Sequence, residues 1–336
     1  MEKILILGGT GAMGVYTVPY IVEKGYKVDV VSMDDIKSDN ENLRYIVANA
    51  KDPEWLEGFL KEEKYDAIID FMLYYEEGLF EKVYNLFLEN TKHYVFLSTY
   101  RVYSSDELPI KETSPRQLEA SKDEYYLSLE KKEYALYKAR QEDLLRNSGK
   151  NNYTIVRPAI TFSKTRFQLT TLEANVLVYR ALNNKTVVLP KQAMNIEATM
   201  TWAGDVAKMF GAVLLNPKAM GEAYTFATAE HHTWAEIAEY YKELIGLKYV
   251  TVDTDAYVEI MGGSHIAKHQ LIYDRCIDRV VDNSKILELA GLKQEDLTPI
   301  FDALKRELAN LPKDYKWPEN DINKRMDKYL EENGIQ

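Results

Sequence analysis

A glycine-rich turn near the start of the chain constrains the fold more than any other feature. The apolar run 3–7 predicts a buried strand, and glycines follow it at positions Gly8, Gly11 and Gly14. A helical stretch comes next, and then a β-rich run over 26–32. A strand, glycine turn, helix and strand within about thirty residues form the βαβ unit in which backbone amides approach a pyrophosphate. The alternative, a glycine-rich turn without a ligand, is uncommon in this context.

Composition narrows the class of protein. The 336 residues are enough for a large core and two lobes. The formal net charge of −11 disfavours nucleic acid and anionic membrane as partners. Cys276 is the only cysteine, so no disulfide framework is expected. No apolar run approaches the roughly 18 residues of a membrane span, and we expect a soluble, cytoplasmic protein.

Strand and helix patterns continue to alternate after the first unit. The predicted strands are 43–47, 66–72 and 93–98, and the predicted helices are 53–62, 76–90 and 129–147. This alternation predicts an α/β fold, a Rossmann-like doubly wound parallel sheet with a smaller, mixed α/β C-terminal lobe. The predicted division places 1–165, with a returning segment at about 198–228, in a nucleotide-binding domain, and 166–197 with 229–336 in a substrate-binding lobe.

A tyrosine and a lysine four residues apart lie on the predicted helix 129–147. Tyr134 and Lys138 therefore share one helix face. Tyr20 and Lys24 have the same spacing, and with 25 tyrosines such pairs arise by chance. The position of the first pair sets it apart, because it follows the fifth strand and lies beyond Thr99, a hydroxyl at the end of that strand.

Together these segments resemble the NAD-dependent epimerase/dehydratase family of the extended short-chain dehydrogenase/reductase superfamily. The glycine spacing with Thr10 before the second glycine is one such segment. Segments 97–103 and 109–115 are similar to the family's S-S-x-x-V-Y … E-x-x-P pattern, and the Tyr-x-x-x-Lys pair and an R-P-x segment follow in the family's order. Segments 198–207 and 221–226 are similar to its later h-v-x-D-v-A and G-e-x-y-n patterns. The resemblance covers roughly residues 1–310.

The resemblance implies a dinucleotide cofactor held by the glycine turn and the loops after the strands. The implied contacts are Gly8, Thr10, Gly11, Ala12, Met13, Gly14, Asp34, Asn49, Ala50, Phe71, Met72, Ser98, Tyr134, Lys138, Pro158, Ala159 and Ile160. Family patterns place a ribose-binding carboxylate where Ser32 stands. Asp34 and Asp35 come later, where their charge disfavours an additional phosphate and favours NAD. NADP, with both aspartates as solvated loop residues, remains an alternative.

The resemblance also implies catalytic roles. Tyr134 is the implied general acid and base, Thr99 the hydrogen-bonding partner of the substrate oxygen, and Lys138 the ligand of the nicotinamide ribose and stabiliser of the phenolate. A free tyrosine loses its proton near pH 10, so lowering the pKa by roughly three units requires about 4 kcal/mol of differential stabilisation. Tyr103 and Tyr137 lie nearby, but the family's order favours Tyr134.

The residues after Thr99 narrow the reaction that the resemblance implies. Family 4,6-dehydratases carry Asp-Glu where this chain has Tyr100-Arg101, and arginine cannot act as a general base at neutral pH. A 4-epimerase, or a dehydrogenase or reductase of a nucleotide sugar, remains. Arg101 suits an anionic group such as a uronate carboxylate, or else it forms a surface ion pair with Asp106 or Glu107. The expected substrate contacts are Tyr100, Arg101, Arg166, His232 and Arg275.

Other features leave alternatives open. Adjacent His231 and His232 point to opposite faces of a strand, so no metal site is expected. A basic group near the C-terminus either holds a pyrophosphate or is a solvated face; its members are Lys268, His269, Arg275 and Arg279. Segment 269–285 is also similar to chloroplast stem-loop-binding proteins of the superfamily. The alternative functions are therefore a non-catalytic NAD(P)-binding or RNA-associated regulator, and a reductase of a small carbonyl compound.

The resemblance further implies a homodimer. In the family, helices equivalent to about 77–90 and 129–147 form a four-helix bundle between two subunits. The expected ligand besides the dinucleotide is a nucleotide-sugar-like small molecule.

Overall fold

The computed structural model describes residues 1–76, 78–129 and 132–335, which form two compact units. The first unit consists of Met1–Thr161, Ala203–Ala227 and Asp282–Leu297, and the second of Phe162–Trp202, Thr228–Val281 and Thr298–Gln336. The segment Asp282–Leu297, which the sequence did not assign to the nucleotide-binding domain, belongs to the first unit.

A seven-stranded parallel sheet forms the centre of the first unit. Its strands are β1 (Lys3–Leu7), β2 (Lys27–Ser32), β3 (Leu43–Val47), β4 (Tyr65–Asp70), β5 (Thr91–Leu97), β6 (Tyr153–Pro158) and β7 (Ala223–Phe226). Their spatial order is β3-β2-β1-β4-β5-β6-β7, and every pairing is parallel. The order reverses between β1 and β4, which is the position where doubly wound folds bind ligands. The predicted fold class is confirmed.

Helices connect these strands. They are Gly14–Glu23, Pro53–Glu62, Leu79–Asn90, Gln117–Ala120, Glu124–Leu127, Tyr134–Arg146, Ala203–Val213 and Ser284–Ala290, with 3₁₀ turns at Tyr100–Val102 and Gln294–Asp296. Among the described residues, no helix is both long and apolar enough to cross a membrane.

Two apolar clusters cover the two faces of the sheet. Ile4 and Ile6 of β1 belong to one cluster, and Leu5 and Leu7 to the other. Successive strand residues point to opposite faces, so a strand covered on both sides must be apolar throughout. This explains why the strands read as continuous apolar runs in the sequence.

The predicted bounds of helices and strands match the observed bounds closely in the first part of the chain and less well after it. The predicted strand 43–47 and helix 53–62 match the observed bounds. The predicted helix 129–147 is too long, because the observed helix begins at Tyr134, where the side chain of Glu133 caps it; residues 130 and 131 lie outside the described part. The predicted helix 76–90 begins instead at Leu79, and residue 77 also lies outside the described part.

The second unit is mixed α/β. Its helices are Ala174–Leu182, Trp234–Ile245, Thr254–Ile260, His265–Gln270, Ile300–Ala309 and Asp321–Glu332, with a 3₁₀ turn at Lys191–Ala193 and a π-helical turn at Leu271–Arg275. Its strand pairs are Val187–Pro190 with Tyr249–Val252 (parallel), Gln168–Leu169 with Leu172–Glu173 (antiparallel) and Glu197–Ala198 with His232–Thr233 (antiparallel). A short strand at Met200–Trp202 also belongs to this unit, and another at Ile160–Phe162 begins in the first unit and ends in the second.

Candidate active site at the carboxyl edge of the sheet

The glycine turn after β1 is closed too tightly for side chains at three of its positions, Gly8, Gly9 and Gly14. A Cβ on Gly14 would lie 2.1 Å from the carbonyl oxygen of Gly9, and one on Gly8 would lie 2.9 Å from Met72 Sδ. Gly8 also has φ +75°, which glycine adopts without strain. Met13 precedes the first helix and gives it no side-chain cap. A tight glycine turn that leads into an uncapped helix N-terminus fits the pyrophosphate of a dinucleotide.

The predicted adenosine end lies after β2 and β3. The buried Ser32 hydroxyl accepts a hydrogen bond from the backbone N–H of Asp34 (3.0 Å), which forms a turn that leaves the Asp34 side chain exposed. Asn49 is exposed and accepts a bond from the N–H of Lys51 (3.1 Å), whereas Ala50 is buried. Both loops emerge from the carboxyl edge of the sheet, beside the glycine turn.

A buried carboxylate ends β4. One oxygen of Asp70 accepts bonds from the Met72 N–H (2.9 Å) and the Tyr74 hydroxyl (3.2 Å), and the other accepts one from the Tyr94 hydroxyl (2.8 Å). Burial raises the pKa of Asp70 to about 6. Asp70 thus fixes the loop that includes the predicted cofactor contacts Phe71 and Met72. The sequence placed Asp70 in a strand but did not indicate these partners.

Two hydroxyls follow the end of β5. Ser98 donates a hydrogen bond of 2.5 Å to Glu142, and both side chains are buried. The Thr99 hydroxyl oxygen accepts a bond from the N–H of Arg101 (3.3 Å) and caps the turn that begins at Tyr100. Thr99 is only 6% exposed at the edge of the sheet where ligands of this fold bind.

The helix Tyr134–Arg146 brings Lys138 to the end of the same strand. Lys138 is completely buried, and its ammonium donates to the carbonyl oxygen of Leu97 (2.8 Å), the last residue of β5. Burial lowers the pKa of Lys138 to about 8, against the opposing effect of the carboxylates of Asp70 and Glu142. The structure therefore brings Lys138 beside the strand end that leads to Thr99.

Tyr134 lies one helical turn before Lys138, in the first turn of the helix. Glu133 caps this helix, since its Oε2 accepts bonds from the backbone N–H groups of Ala135 (2.6 Å) and Leu136 (3.1 Å). Tyr134 is partly exposed, and the Arg101 guanidinium carbon lies 5.2 Å from its ring centroid. Tyr134 and Lys138 both lie in this helix, and residues four apart on a helix share a face, as their spacing in the sequence predicts.

The two neighbouring tyrosines are less suited to act as the base. The Tyr103 hydroxyl is buried against Thr225 Oγ1 (2.7 Å). Burial raises the pKa of Tyr137 to about 12, and its ring stacks on that of Tyr75 with centroids 5.7 Å apart. Deprotonation of either phenol is disfavoured by burial.

Arg101 forms an ion pair that the sequence did not indicate. Its Nη2 lies 2.8 Å from Glu133 Oε1, and its side chain is only 13% exposed. We expected a substrate carboxylate, or Asp106 or Glu107, as its partner. Glu133 is distant in sequence, and only the folded chain brings the two together.

A second buried ion pair connects the helix Tyr134–Arg146 to β6. Arg157 makes two bonds to the Glu142 carboxylate, Nε to Oε1 at 2.9 Å and Nη2 to Oε2 at 2.6 Å, and Arg116 adds a third at 3.2 Å. These arginines keep the pKa of Glu142 below its usual range in spite of burial. Glu142 follows Lys138 by four residues on one helix face, a spacing that could have indicated it.

The predicted cofactor contacts after β6 are also located at this edge. Pro158 ends the strand, and the N–H of the buried Ala159 donates to Phe226 O (3.0 Å) at the end of β7. Ile160 is buried and begins the short strand that follows.

Three predicted substrate contacts lie in the second unit, and their role stays a prediction. Arg166 is paired through its backbone with Ser163. His232 Nε2 lies 2.9 Å from Glu230 Oε1. Arg275 is 3% exposed, ion-paired with Asp274, and its Nε donates to Thr170 O (2.7 Å).

The basic group at 268–279 is not one continuous surface, because its members differ in burial. Arg275 and Arg279 are both buried against Asp274, although Lys268 is exposed. Within the described part of the chain, no three His, Cys, Asp or Glu side chains are grouped to hold a metal ion.

Comparison with known proteins agrees with the fold and with the glycine turn. The model of the NAD dependent epimerase/dehydratase family matches residues 4–227. The chain therefore belongs to this family, and the resemblance read from its motifs is confirmed. No curated protein matches the sequence significantly.

Solved structures with the same fold include several epimerases and dehydratases. An epimerase from Methanothermobacter thermautotrophicus has a TM-score of 0.70 at 16% identity and covers 92% of this chain and 91% of its own. A UDP-N-acetylglucosamine 4-epimerase from Bacillus cereus has a TM-score of 0.67 at 18% identity, with coverage of 95% and 99%. A dTDP-glucose 4,6-dehydratase from Bacillus anthracis, solved with NAD, has a TM-score of 0.67 at 18% identity, with coverage of 92% and 96%.

Proposed function

We propose that the protein is an NAD-dependent enzyme that acts by hydride transfer at a sugar hydroxyl of a nucleotide sugar, as a 4-epimerase does, with Tyr134 as acid and base. The observation that carries this proposal is the buried Lys138, held on the last carbonyl of β5 one helical turn from Tyr134. A lysine without a salt bridge to a carboxylate is rarely buried completely, because desolvation of the ammonium is costly. Such a group near a ligand-binding edge favours a functional role.

Each residue of the proposed site has a distinct task. The nicotinamide, when bound, would accept and return the hydride. Tyr134 takes the proton from the reacting hydroxyl and gives it back to the product, and the Lys138 ammonium favours its phenolate. Thr99 Oγ already accepts a bond from a backbone N–H, so its own hydrogen is available to orient the substrate oxygen.

The two residues that follow Thr99 favour a reaction by hydride transfer without elimination of water. Tyr100 is buried and Arg101 is engaged with Glu133, so these two positions supply no carboxylate pair for elimination. The proposal is therefore an epimerase, or a dehydrogenase acting on the same class of substrate.

The proposed cofactor is inferred from the glycine turn and from the charged residues after β2. Residues of the glycine turn would hold the pyrophosphate. The exposed aspartates Asp34 and Asp35 at the end of β2 favour NAD over NADP. Mass spectrometry of the dinucleotide released from the purified protein identifies which is bound.

The test of the reaction uses two matched variants on one helix. The purified protein is assayed with UDP-, GDP-, CDP- and dTDP-sugars for epimer exchange and for cofactor reduction. Tyr134→Phe removes one hydroxyl and is expected to reduce kcat by about 10²–10⁴-fold, because the acid and base is lost. Tyr137→Phe, the control one turn on, is expected to retain the activity of the unmodified protein.

Other outcomes redirect the assignment. Full activity in Tyr134→Phe contradicts the proposed base. A protein that binds the dinucleotide and turns over none of these sugars is assayed on small aldehydes and ketones, and activity there reassigns the substrate class. We infer a cytoplasmic homodimer from family membership; light scattering of the purified protein tests the dimer.

A further inference from the structure

Arg101 is placed where it can act on Tyr134 itself. Its guanidinium carbon lies 5.2 Å from the centroid of the Tyr134 ring, and its side chain is largely removed from water. A guanidinium at this distance from an aromatic ring makes a favourable cation–π contact. Arginine stays charged over the whole range in which enzymes work.

The partner of Arg101 is held in place by other groups. Glu133 Oε1 accepts from Arg101, and Oε2 accepts from the N–H groups of Ala135 and Leu136 and from the Tyr126 hydroxyl at 3.3 Å. Four donors thus satisfy this carboxylate, which is only 4% exposed. The ion pair joins the turn after β5 to the N-cap residue of the proposed catalytic helix.

From this geometry we propose that Arg101 is a positioning residue that holds the Tyr134 ring and stabilises its phenolate form. The inference rests on the proposed function, since it assigns Arg101 a task in the same proton transfer. It differs from a role in binding a substrate carboxylate, because the guanidinium acts through the tyrosine and not on the ligand.

The charges around Tyr134 explain why a second cation is needed. On its own segment, Tyr134 is preceded by Glu133 and followed one helical turn later by Lys138. From other segments, Arg101 and the Tyr75 phenol face Tyr134. Glu133 is anionic and disfavours a phenolate beside it, an effect that Arg101 offsets. Because burial lowers the pKa of Lys138 to about 8, its charge weakens at alkaline pH, whereas that of Arg101 does not.

The first experiment compares kcat against pH for four proteins. Arg101→Gln is expected to move the acidic limb of the profile upward by about one pH unit. Activity then falls roughly tenfold at neutral pH and recovers at alkaline pH. Arg101→Lys, which keeps the charge, is expected to restore most of the activity at neutral pH. Arg140→Gln removes an exposed arginine from the same helix and is expected to leave the limb unmoved.

Two results overturn the inference. A loss of equal size at every pH means that Arg101 only supports the fold. A rise in KM confined to sugars with a carboxylate, with an unmoved kcat profile, means that Arg101 binds the substrate.

A second readout separates this inference from the proposed function. Ultraviolet difference titration of the unmodified protein against Tyr134→Phe isolates the tyrosinate signal of Tyr134 without any substrate. The same difference for Arg101→Gln against its double variant with Tyr134→Phe is expected to titrate about one pH unit higher. Unchanged titration overturns the inference, whether or not any nucleotide sugar is turned over. If the titration moves and no sugar reacts, only the proposed function fails.

Discussion

Two aspartates in the same parallel sheet have pKa values that are shifted in opposite directions. Asp29, near the amino edge of β2, accepts bonds from Arg44 Nη2 (2.6 Å) and from the Tyr65 hydroxyl (2.6 Å), and Lys3 lies 3.1 Å away. These partners hold its pKa below the usual range, against the effect of burial. Asp70, at the carboxyl edge of β4, is hydrogen-bonded by neutral groups, and burial raises its pKa to about 6.

The comparison shows that different effects dominate the pKa values at the two edges of the sheet: ion pairs at the amino edge and burial at the carboxyl edge. At the amino edge, two cations and a phenol neutralise the carboxylate, as expected of a structural ion-pair network. At the carboxyl edge, the carboxylate of Asp70 and the ammonium of Lys138 each have a pKa shifted towards the neutral form. Perturbed groups of this kind are concentrated at functional sites, because catalysis needs groups that exchange protons near neutral pH.

The largest expected effect is at the carboxyl edge. Lys138→Met keeps most of the buried volume and removes the ammonium, so turnover of the proposed nucleotide-sugar substrate is expected to fall by about 10²-fold or more in steady-state assays. Thermal stability is expected to change little, because the variant no longer pays the desolvation cost of the ammonium but leaves the Leu97 carbonyl and the buried Asp70 carboxyl without it.

Lys24→Met is the control, because Lys24 has the same spacing from a tyrosine and is exposed at the end of another helix. Equal losses in the two variants would contradict the distinction between the two tyrosine–lysine pairs.

The next effect concerns the pH dependence of stability at Asp70. Its folded pKa of about 6 exceeds the unfolded value near 4, so the folded state retains a proton that the unfolded state releases in this window. The contribution of Asp70 to stability therefore decreases as pH rises from about 4 to about 6, by roughly 3 kcal/mol in total. Asp70→Asn removes this decrease.

Urea unfolding at several pH values measures the difference between Asp70→Asn and the unmodified protein. The free energy of unfolding of the variant, relative to that of the unmodified protein, is expected to increase between about pH 4 and about pH 6. Above about pH 6 the difference between the two proteins is expected to stay constant. A difference that does not vary with pH would contradict the raised pKa.

The smallest effect is expected at the amino edge. Asp29→Asn leaves Arg44 and Lys3 without their carboxylate and is expected to reduce the free energy of unfolding by about 1–2 kcal/mol at neutral pH. The sign of its pH dependence is opposite to that at Asp70. A lowered pKa gives stability above the unfolded value near 4, and this stability is lost as pH falls below it.

Turnover at saturating substrate is expected to be unchanged in Asp29→Asn. A large loss of kcat there would remove the functional contrast between the two edges.

Much of the sheet was predictable because its signals are local. The bounds of β3 and of the helix Pro53–Glu62 follow from apolar runs and from a proline in the first helical turn. The predicted helix 129–147 is longer than the observed helix Tyr134–Arg146, because glutamate is not among the usual N-cap residues and the sequence therefore did not indicate a cap at Glu133.

The residues of the candidate site could be named from the sequence, and their roles stay predictions; their partners could not be named. Tyr134, Lys138 and Thr99 were indicated by spacing and order. The ion pairs of Arg101 with Glu133 and of Arg157 with Glu142 join positions 32 and 15 residues apart. Nothing in local pattern specifies such pairs, because any of the chain's 53 acidic residues is chemically able to accept from an arginine.

The amino-acid sequence by itself determined the parallel α/β architecture, the glycine turn and the phenol and ammonium that share a helix face, because these depend on periodicity and on backbone freedom over a few residues. Only the tertiary structure decided which charges are compensated. Burial and the approach of distant strands set the pKa values of Asp29, Asp70 and Lys138, and both arise only when the sheet has assembled.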